Sequence, residues 1–414
     1  MRTYSILLAT LSIYRVEAAH HLPDTCPSAI RISEPVCGAG YDGNVAESQN
    51  QQQAGEAADN NGSVKFSWRD TGLCVRDYCL FANQGFNRGR GISVISTLEN
   101  MHKVKDVVNE VHSQDQARRL PDPAQFYVAE VPGKGLGLIA NASLHRGTPI
   151  MHRTPALLVH RNFLEQLPPQ EQQSLLDAAV ELLPPATRSL FLSQMGHFGG
   201  HKITDILATN SFQTDLGGKD GHHYSNYPEV SRFNHDCRPN VAFYISEQLV
   251  HTTTAVRSVE PGEELTITYM DSFEPRAARQ ERALQTWGFK CTCSQCSLPD
   301  KLAAKSDKRL EEIASIQTQL AEFQDANVTP ALIRRYIKLY KDDNLDFAIA
   351  GAYTLAALNY NMLGDEKMAV KYAKLAVEAG SLEHGPPSSD VSEMRALLRS
   401  PKGHFSWRRR WSGW

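Results

Sequence analysis

No run of about 18 consecutive apolar residues occurs in the 414-residue chain, which excludes an ordinary membrane-spanning helix. Positive charge is not in excess either: Lys plus Arg numbers 43 against 46 for Asp plus Glu. A surface that grips a phosphate backbone needs such an excess, so direct nucleic-acid binding is not expected. The regular strand–helix alternation of a doubly wound sheet is missing as well. In the glycine-rich stretch "GKGLGL" (133–138), Leu138 follows the last glycine where a phosphate-cradling loop needs Lys and then Ser or Thr, so that loop type is excluded.

What is present begins with a leader. Residues 1–18 carry Arg2, an apolar run from Tyr4 to Tyr14 and a small residue at Ala18, with Ala19 next. That is the layout of a secretory signal cleaved after Ala18. Arg15 and Glu17 interrupt it, and a first strand or amphipathic helix is the alternative. The eight cysteines fall into two sets of four. Cys26, Cys37, Cys74 and Cys79 lie in the N-terminal region 19–120, which also holds a polar segment at 46–62 expected to be disordered. Behind a leader these four read as two disulfides, with three possible pairings, and as free thiols otherwise. The expected location is accordingly the secretory pathway, with cytoplasm or nucleus as the alternative.

Short strands and turns begin near Phe126, so a second domain is expected over 121–297. Helical spacing over about 161–210, with Leu164, Leu167, Leu175, Leu176, Ala179, Leu182 and Leu183 as apolar stripes, marks an insert. Strands return in "NVAFYISEQLVHTTTAVRSV" and "ELTITYM", with Pro261-Gly262 as the turn between them. Residues 298–400 read as an all-helical lobe. Within it two amphipathic segments separated by "LGD" resemble one tetratricopeptide-type hairpin. Residues 401–414 form a tail. The fold class is α+β.

Four motifs then occur in a telling order: the glycine loop, "FNHDCRPN", "GEELTITYMD" and "WGFKCTCSQC". Over about residues 124–297 the chain resembles the SET-domain protein methyltransferases. The helical insert, the C-x-C-x2-C tail and the helical lobe resemble the SET-and-MYND branch. It departs from that branch in lacking a recognisable MYND module of seven cysteines and one histidine. The resemblance implies a β-rich SET fold with a helical insert, a zinc-binding post-SET segment and a helical C-terminal lobe.

It also implies S-adenosyl-L-methionine as methyl donor and a protein lysine as acceptor. Lys134, Gly135, Leu136 and Gly137 match the loop that holds the donor's amino-acid end, and Asn234 and His235 match cofactor-contacting residues. Tyr269 matches the catalytic tyrosine of the methyl-transfer channel, and Trp287 and Phe289 match aromatics that pack over the cofactor. Cys237, Cys291, Cys293 and Cys296 match a structural Zn2+ site; as bare residues they also suit two disulfides, the pairing an exported chain favours. A lysine-containing protein segment is the expected partner, with the helical lobe as docking surface. The rival expectation is a catalytically silent scaffold of SET core and helical lobe. One tension stands: the methyl donor is used mainly in cytosol and nucleus, whereas the leader points to export.

Overall fold

The computed structural model describes residues 66–115, 125–217, 220–322 and 327–410. The leader, the 46–62 segment, Cys26 and Cys37 lie outside the described residues.

Three N-terminal strands come first: β1 (Arg69–Val75), β2 (Tyr78–Asn83) and β3 (Ile92–Ser96). The two-residue turn between β1 and β2 puts Arg76 at φ 53°, as a tight hairpin requires. Cys74 and Cys79 face each other across it and form a disulfide. A helical turn α1 (Phe86–Gly89) leads to β3, and α2 (Leu98–Asp115) follows. Then come β4 (Phe126–Val131), β5 (Gly135–Ala140), β6 (Pro149–Arg153) and β7 (Leu157–His160). The insert is four helices, α3 (Arg161–Gln166), α4 (Pro169–Glu181), α5 (Pro185–Leu192) and α6 (Lys202–Asn210). The chain continues with β8 (Ser211–Asp215), β9 (His222–Asn226), β10 (Asn234–His235), β11 (Val241–Ile245), β12 (His251–Ala255) and β13 (Glu264–Ile267).

These strands make a six-stranded sheet in the order β1-β2-β3-β7-β9-β8, a four-stranded sheet β10-β13-β5-β4 and a three-stranded sheet β11-β12-β6. The first of them spans the expected 120/121 domain boundary. β3, with all five residues buried, pairs in parallel with β7, so the N-terminal strands and the following domain share one sheet. Both faces of the sheet are covered, so β3 is buried along its whole length even at Ser93 and Ser96. On one face Leu80, Ile95, Leu157 and Val159 pack with Leu164, Leu175, Leu176, Ala179 and Leu183 of the insert. On the other, Phe81, Val94 and Leu158 pack with Met101, Val104 and Val108 of α2. The strand-like stretch from Asn240 forms a hairpin: β11 and β12 pair antiparallel from Val241↔Ala255 to Ile245↔His251.

Helix α7 (Arg276–Trp287) leads into the cysteine segment. The C-terminal lobe comprises α8 (Asp300–Ala321), α9 (Pro330–Asp342), α10 (Ile349–Met362), α11 (Glu366–Glu383) and α12 (Ser389–Arg399). α10 and α11 form the hairpin read from the sequence. Gly364 takes φ +79° in their turn, and the Asp365 side chain caps α11 by accepting from the Met368 N–H at 3.0 Å. α10 is buried on every side, and its small residues Ala352, Ala356 and Ala357 let the neighbouring helices close on it.

Residues 401–410, within the segment read as a tail, pack against the helical lobe. Ser406 is fully buried, and its Oγ accepts from Asn361 Nδ2 at 2.8 Å. Arg410 Nε donates to Asn359 Oδ1 at 2.9 Å. The segment is polar and Arg-rich in sequence, yet it supplies partners to two asparagines in the interior of α10.

Candidate functional site

The glycine stretch is the turn of the β4–β5 hairpin, closed by the Lys134 N–H to the Val131 carbonyl at 2.9 Å. Gly133 and Gly135 hold φ of +73° and +76°, and a Cβ added to either meets nothing within 4 Å. This side of the turn is therefore open to a ligand's approach. Gly137 has a different role: a Cβ there would lie 2.7 Å from Val131 Cγ2 and 2.9 Å from Asn234 Nδ2. Only glycine lets Asn234 come so close.

Asn234 and His235 form β10, which pairs in parallel with β13 through Asn234↔Thr266 and His235↔Ile267. Asn240 clamps the far end of the loop, donating to the Glu264 carbonyl at 2.8 Å and accepting from the Thr266 N–H at 2.9 Å. Glu264 was not singled out in the sequence, yet its carboxylate organises this corner. It accepts from Asn234 Nδ2 at 2.8 Å and pairs with Lys134 Nζ at 2.6 Å. An acidic residue opening an otherwise apolar strand was the available signal.

Tyr269 follows β13. Its hydroxyl donates to the Phe233 carbonyl at 2.6 Å, and its N–H donates to His235 Nδ1 at 3.1 Å. Burial, with Glu264 adding to it, raises the phenol above its ordinary value, so it stays protonated at neutral pH. Burial also pushes His235 down to about 4. Neutral His235 accepts at Nδ1, leaving Nε2 to carry the proton 3.3 Å from Cys237 Sγ. Around Tyr269 stand the rings of His235 at 5.4 Å, Trp287 at 5.5 Å and Phe289 at 6.4 Å between centroids. Trp287 and Phe289 are brought there by the end of α7. Gly288 caps the helix in the left-handed conformation, φ 70° and ψ 18°, and turns the chain toward the cysteines.

The four cysteines of this region come together. Cys237, Cys291, Cys293 and Cys296 are buried and unlinked, and their sulfurs lie within 4.8 Å of one another. A tetrahedral zinc with bonds of about 2.3 Å spaces its sulfurs about 3.8 Å apart; Cys237 and Cys296 are 3.6 Å apart. The donor set and its spacing fit zinc. Hydrogen bonds shared among the sulfurs raise the Cys237 thiol and lower that of Cys293. Gln280 of α7 holds the segment, donating to the Cys291 carbonyl at 2.7 Å and accepting from its N–H at 3.0 Å.

Thus the fold gathers the sequence candidates into three adjoining groups. Lys134 to Gly137 stand with Asn234, Tyr269 stands with His235, Trp287 and Phe289, and the four sulfurs lie beside His235. Residues 135–270 match the SET domain. The chain is 29% identical over 291 residues to the histone-lysine N-methyltransferase set5 of Schizosaccharomyces pombe, covering 67% of this chain and 85% of that one. It is 35% identical over 83 residues to the human N-lysine methyltransferase SMYD2, covering 20% of this chain and 19% of that one. A SET and MYND domain-containing protein of Dictyostelium discoideum is 33% identical over 87 residues, 21% of this chain and 17% of that one. The chain spans about a fifth of these last two. The chain carries a SET domain over residues 135–270. Its likeness runs to the set5 methyltransferase along most of that protein's length, and to the SET-and-MYND branch within the SET region.

Proposed function

We propose that this chain is a SET-type methyltransferase that moves a methyl group from S-adenosylmethionine to a protein lysine. The observation that carries the reading is the placement of the Tyr269 phenol, fixed on the Phe233 carbonyl among His235, Trp287 and Phe289. The relatives named as histone-lysine and N-lysine methyltransferases support the acceptor class. The open face of the Gly133–Gly135 turn, with Lys134 and Asn234 beside it, suits the donor's amino-acid end.

The methyl donor supplies an electrophilic methyl on a sulfonium sulfur. The chain's own residues then have two tasks. A lysine amine of pKa near 10.4 costs roughly 4–5 kcal/mol to deprotonate at neutral pH, and an apolar aromatic surrounding lowers that cost by disfavouring the charged form. Alignment for in-line attack is worth about 7–11 kcal/mol. Tyr269, neutral and held at its hydroxyl, orients the reacting groups without acting as a base.

Calorimetric titration of the full chain with S-adenosylmethionine is expected to show saturable binding, weakened about tenfold by Asn234→Ala, the scale of one lost hydrogen bond. Tyr269→Phe should lower methyl transfer to a lysine peptide about 100-fold while changing the dissociation constant less than threefold. Equal losses in both would make Tyr269 a packing residue. A folded, donor-free chain that gives no heat would favour the silent scaffold.

Export is a separate proposal. The Cys74–Cys79 disulfide agrees with an oxidising compartment. A chain made in a eukaryotic host and sequenced from its N-terminus is expected to begin at Ala19 or His20. An intact Met1 on cytosolic protein overturns the export reading.

A further inference from the structure

Helix α7 turns Arg279, Gln280 and Ala283 toward the cysteine segment. Ala283 packs in the same buried cluster as Cys237, Cys291, Cys293 and Cys296, and Gln280 clamps the Cys291 backbone. Arg279 lies one turn before Ala283, on the same face of the helix. It is 1% exposed and heads the fully buried side chains by volume among the described residues. Its Nη1 donates to the Glu274 carbonyl, and its Nε is buried without a partner. Burial disfavours the charge on Arg279, and the neighbouring sulfurs of Cys237 and Cys296 outweigh it and favour the charged form; Asp271 is an acid that feels its charge.

A buried guanidinium needs an anion, because an uncompensated interior charge costs several kcal/mol. Uncharged thiols do not provide one. Four thiolates around a divalent ion carry a net charge of −2, which is equally costly in an apolar interior. Each charge answers the other.

We propose that Arg279 is the charge partner of the tetrathiolate centre, a positioning residue that sets how tightly the four cysteines hold a zinc-type ion. The inference rests on the zinc reading of the cluster. Outer-shell partners of metal ligands typically alter affinity 10- to 100-fold. Arginine suits the place because its fork can reach two sulfurs while remaining charged when desolvated. Lysine keeps the charge but offers a single point; methionine fills the volume without charge.

The test is chelator competition on the purified full chain, comparing wild type with Arg279→Lys and Arg279→Met, with zinc counted by elemental analysis. Wild type is expected to hold about one zinc per chain. Zinc affinity should fall in the order wild type, Arg279→Lys, Arg279→Met, with a loss of about 10- to 100-fold in the last. A packing role predicts another order: where only the volume of Arg279 matters, methionine restores most of it, so Arg279→Met would bind zinc like wild type. That result overturns the inference alone. A wild-type chain without zinc overturns the zinc reading and takes the inference with it. If Arg279→Met does not fold even in excess zinc, Arg279→Lys decides: affinity within twofold of wild type defeats the fork's role. The thiolate-to-metal absorption of the cobalt-loaded protein gives an independent readout, expected to shift in Arg279→Lys and to stay unchanged if the side chain only packs.

Discussion

Stripping metal from the full chain with a chelator is expected to loosen the fold around Trp287 and to weaken S-adenosylmethionine binding by more than about 100-fold. Structural zinc is typically worth about 10–16 kcal/mol of apparent binding free energy at pH 7, and that energy is folding energy for the segment it ties. Here the segment includes Trp287 and Phe289, which stand immediately before Cys291 and beside Tyr269. Cys296→Ser should reproduce both effects. The disulfide alternative predicts the reverse, with chelators inert and reductants damaging. The sulfurs are unlinked, with Cys237 and Cys296 3.6 Å apart, which favours the metal. Fewer than about half a zinc per freshly purified chain, with four sulfurs that resist alkylation, would decide against it.

Asp343→Ala is expected to destabilise the protein by about 3–5 kcal/mol, the usual cost of breaking a buried ion pair. Asp343 ends α9 and its carboxylate is buried at the junction of SET region and helical lobe. Arg238, the residue after Cys237, pairs with it and donates from Nε to its carbonyl at 2.7 Å. Arg238 also holds the Cys237 carbonyl at 2.7 Å and the Ser272 carbonyl at 3.1 Å. Ser306 donates to the carboxylate at 2.9 Å, and Arg309 Nε does the same at 2.9 Å. Burial works to raise the Asp343 carboxyl, but Arg238 with its hydrogen bonds outweighs it and the net shift is downward. The sign follows: its stabilisation is fully present above the unfolded value of about 3.9 and is lost as pH falls through the lower folded value. Urea unfolding of Asp343→Ala at pH 7 and in acid measures both effects. A loss under 1 kcal/mol at pH 7, or a difference from wild type that does not shrink in acid, would refute the assignment. An Arg238→Met, Asp343→Leu double variant should lose less than the sum of the single changes, since neither partner is then left alone.

The parts of the site legible in the sequence were those carried by motifs in a joint order. The cysteines, the alternate glycines and the Asn-His-x-Cys run each have other uses when taken alone, and the resemblance of the four motifs together gave them roles; the fold brings each set together. The α10–α11 hairpin was legible because its alanines and Gly364 repeat a local pattern. Non-local features were not. β3 and β7 pair in parallel across the expected domain boundary, and parallel pairing leaves no turn signal between its strands. Glu264 was not singled out, because its two partners are 130 and 30 residues away in sequence. For the same reason Arg238 and Arg279 were not singled out: a charge is buried only when a distant partner meets it. Residues 401–410 looked like a tail because their polarity serves Asn359 and Asn361 rather than water.

That last segment bears on how the protein is made. Synthesis delivers the chain at about 5–20 residues per second, and N-terminal parts fold while later ones are still in the ribosome. Asn359 and Asn361 are translated 45 and more residues ahead of Ser406 and Arg410, the partners that meet them in the finished fold. The helical lobe therefore passes through an interval in which buried amides lack these partners, and only translation of the next few dozen residues ends it. A message truncated before codon 406 would yield a polypeptide with every SET motif present and a lobe held in that unfinished condition, a natural client for chaperones and proteases.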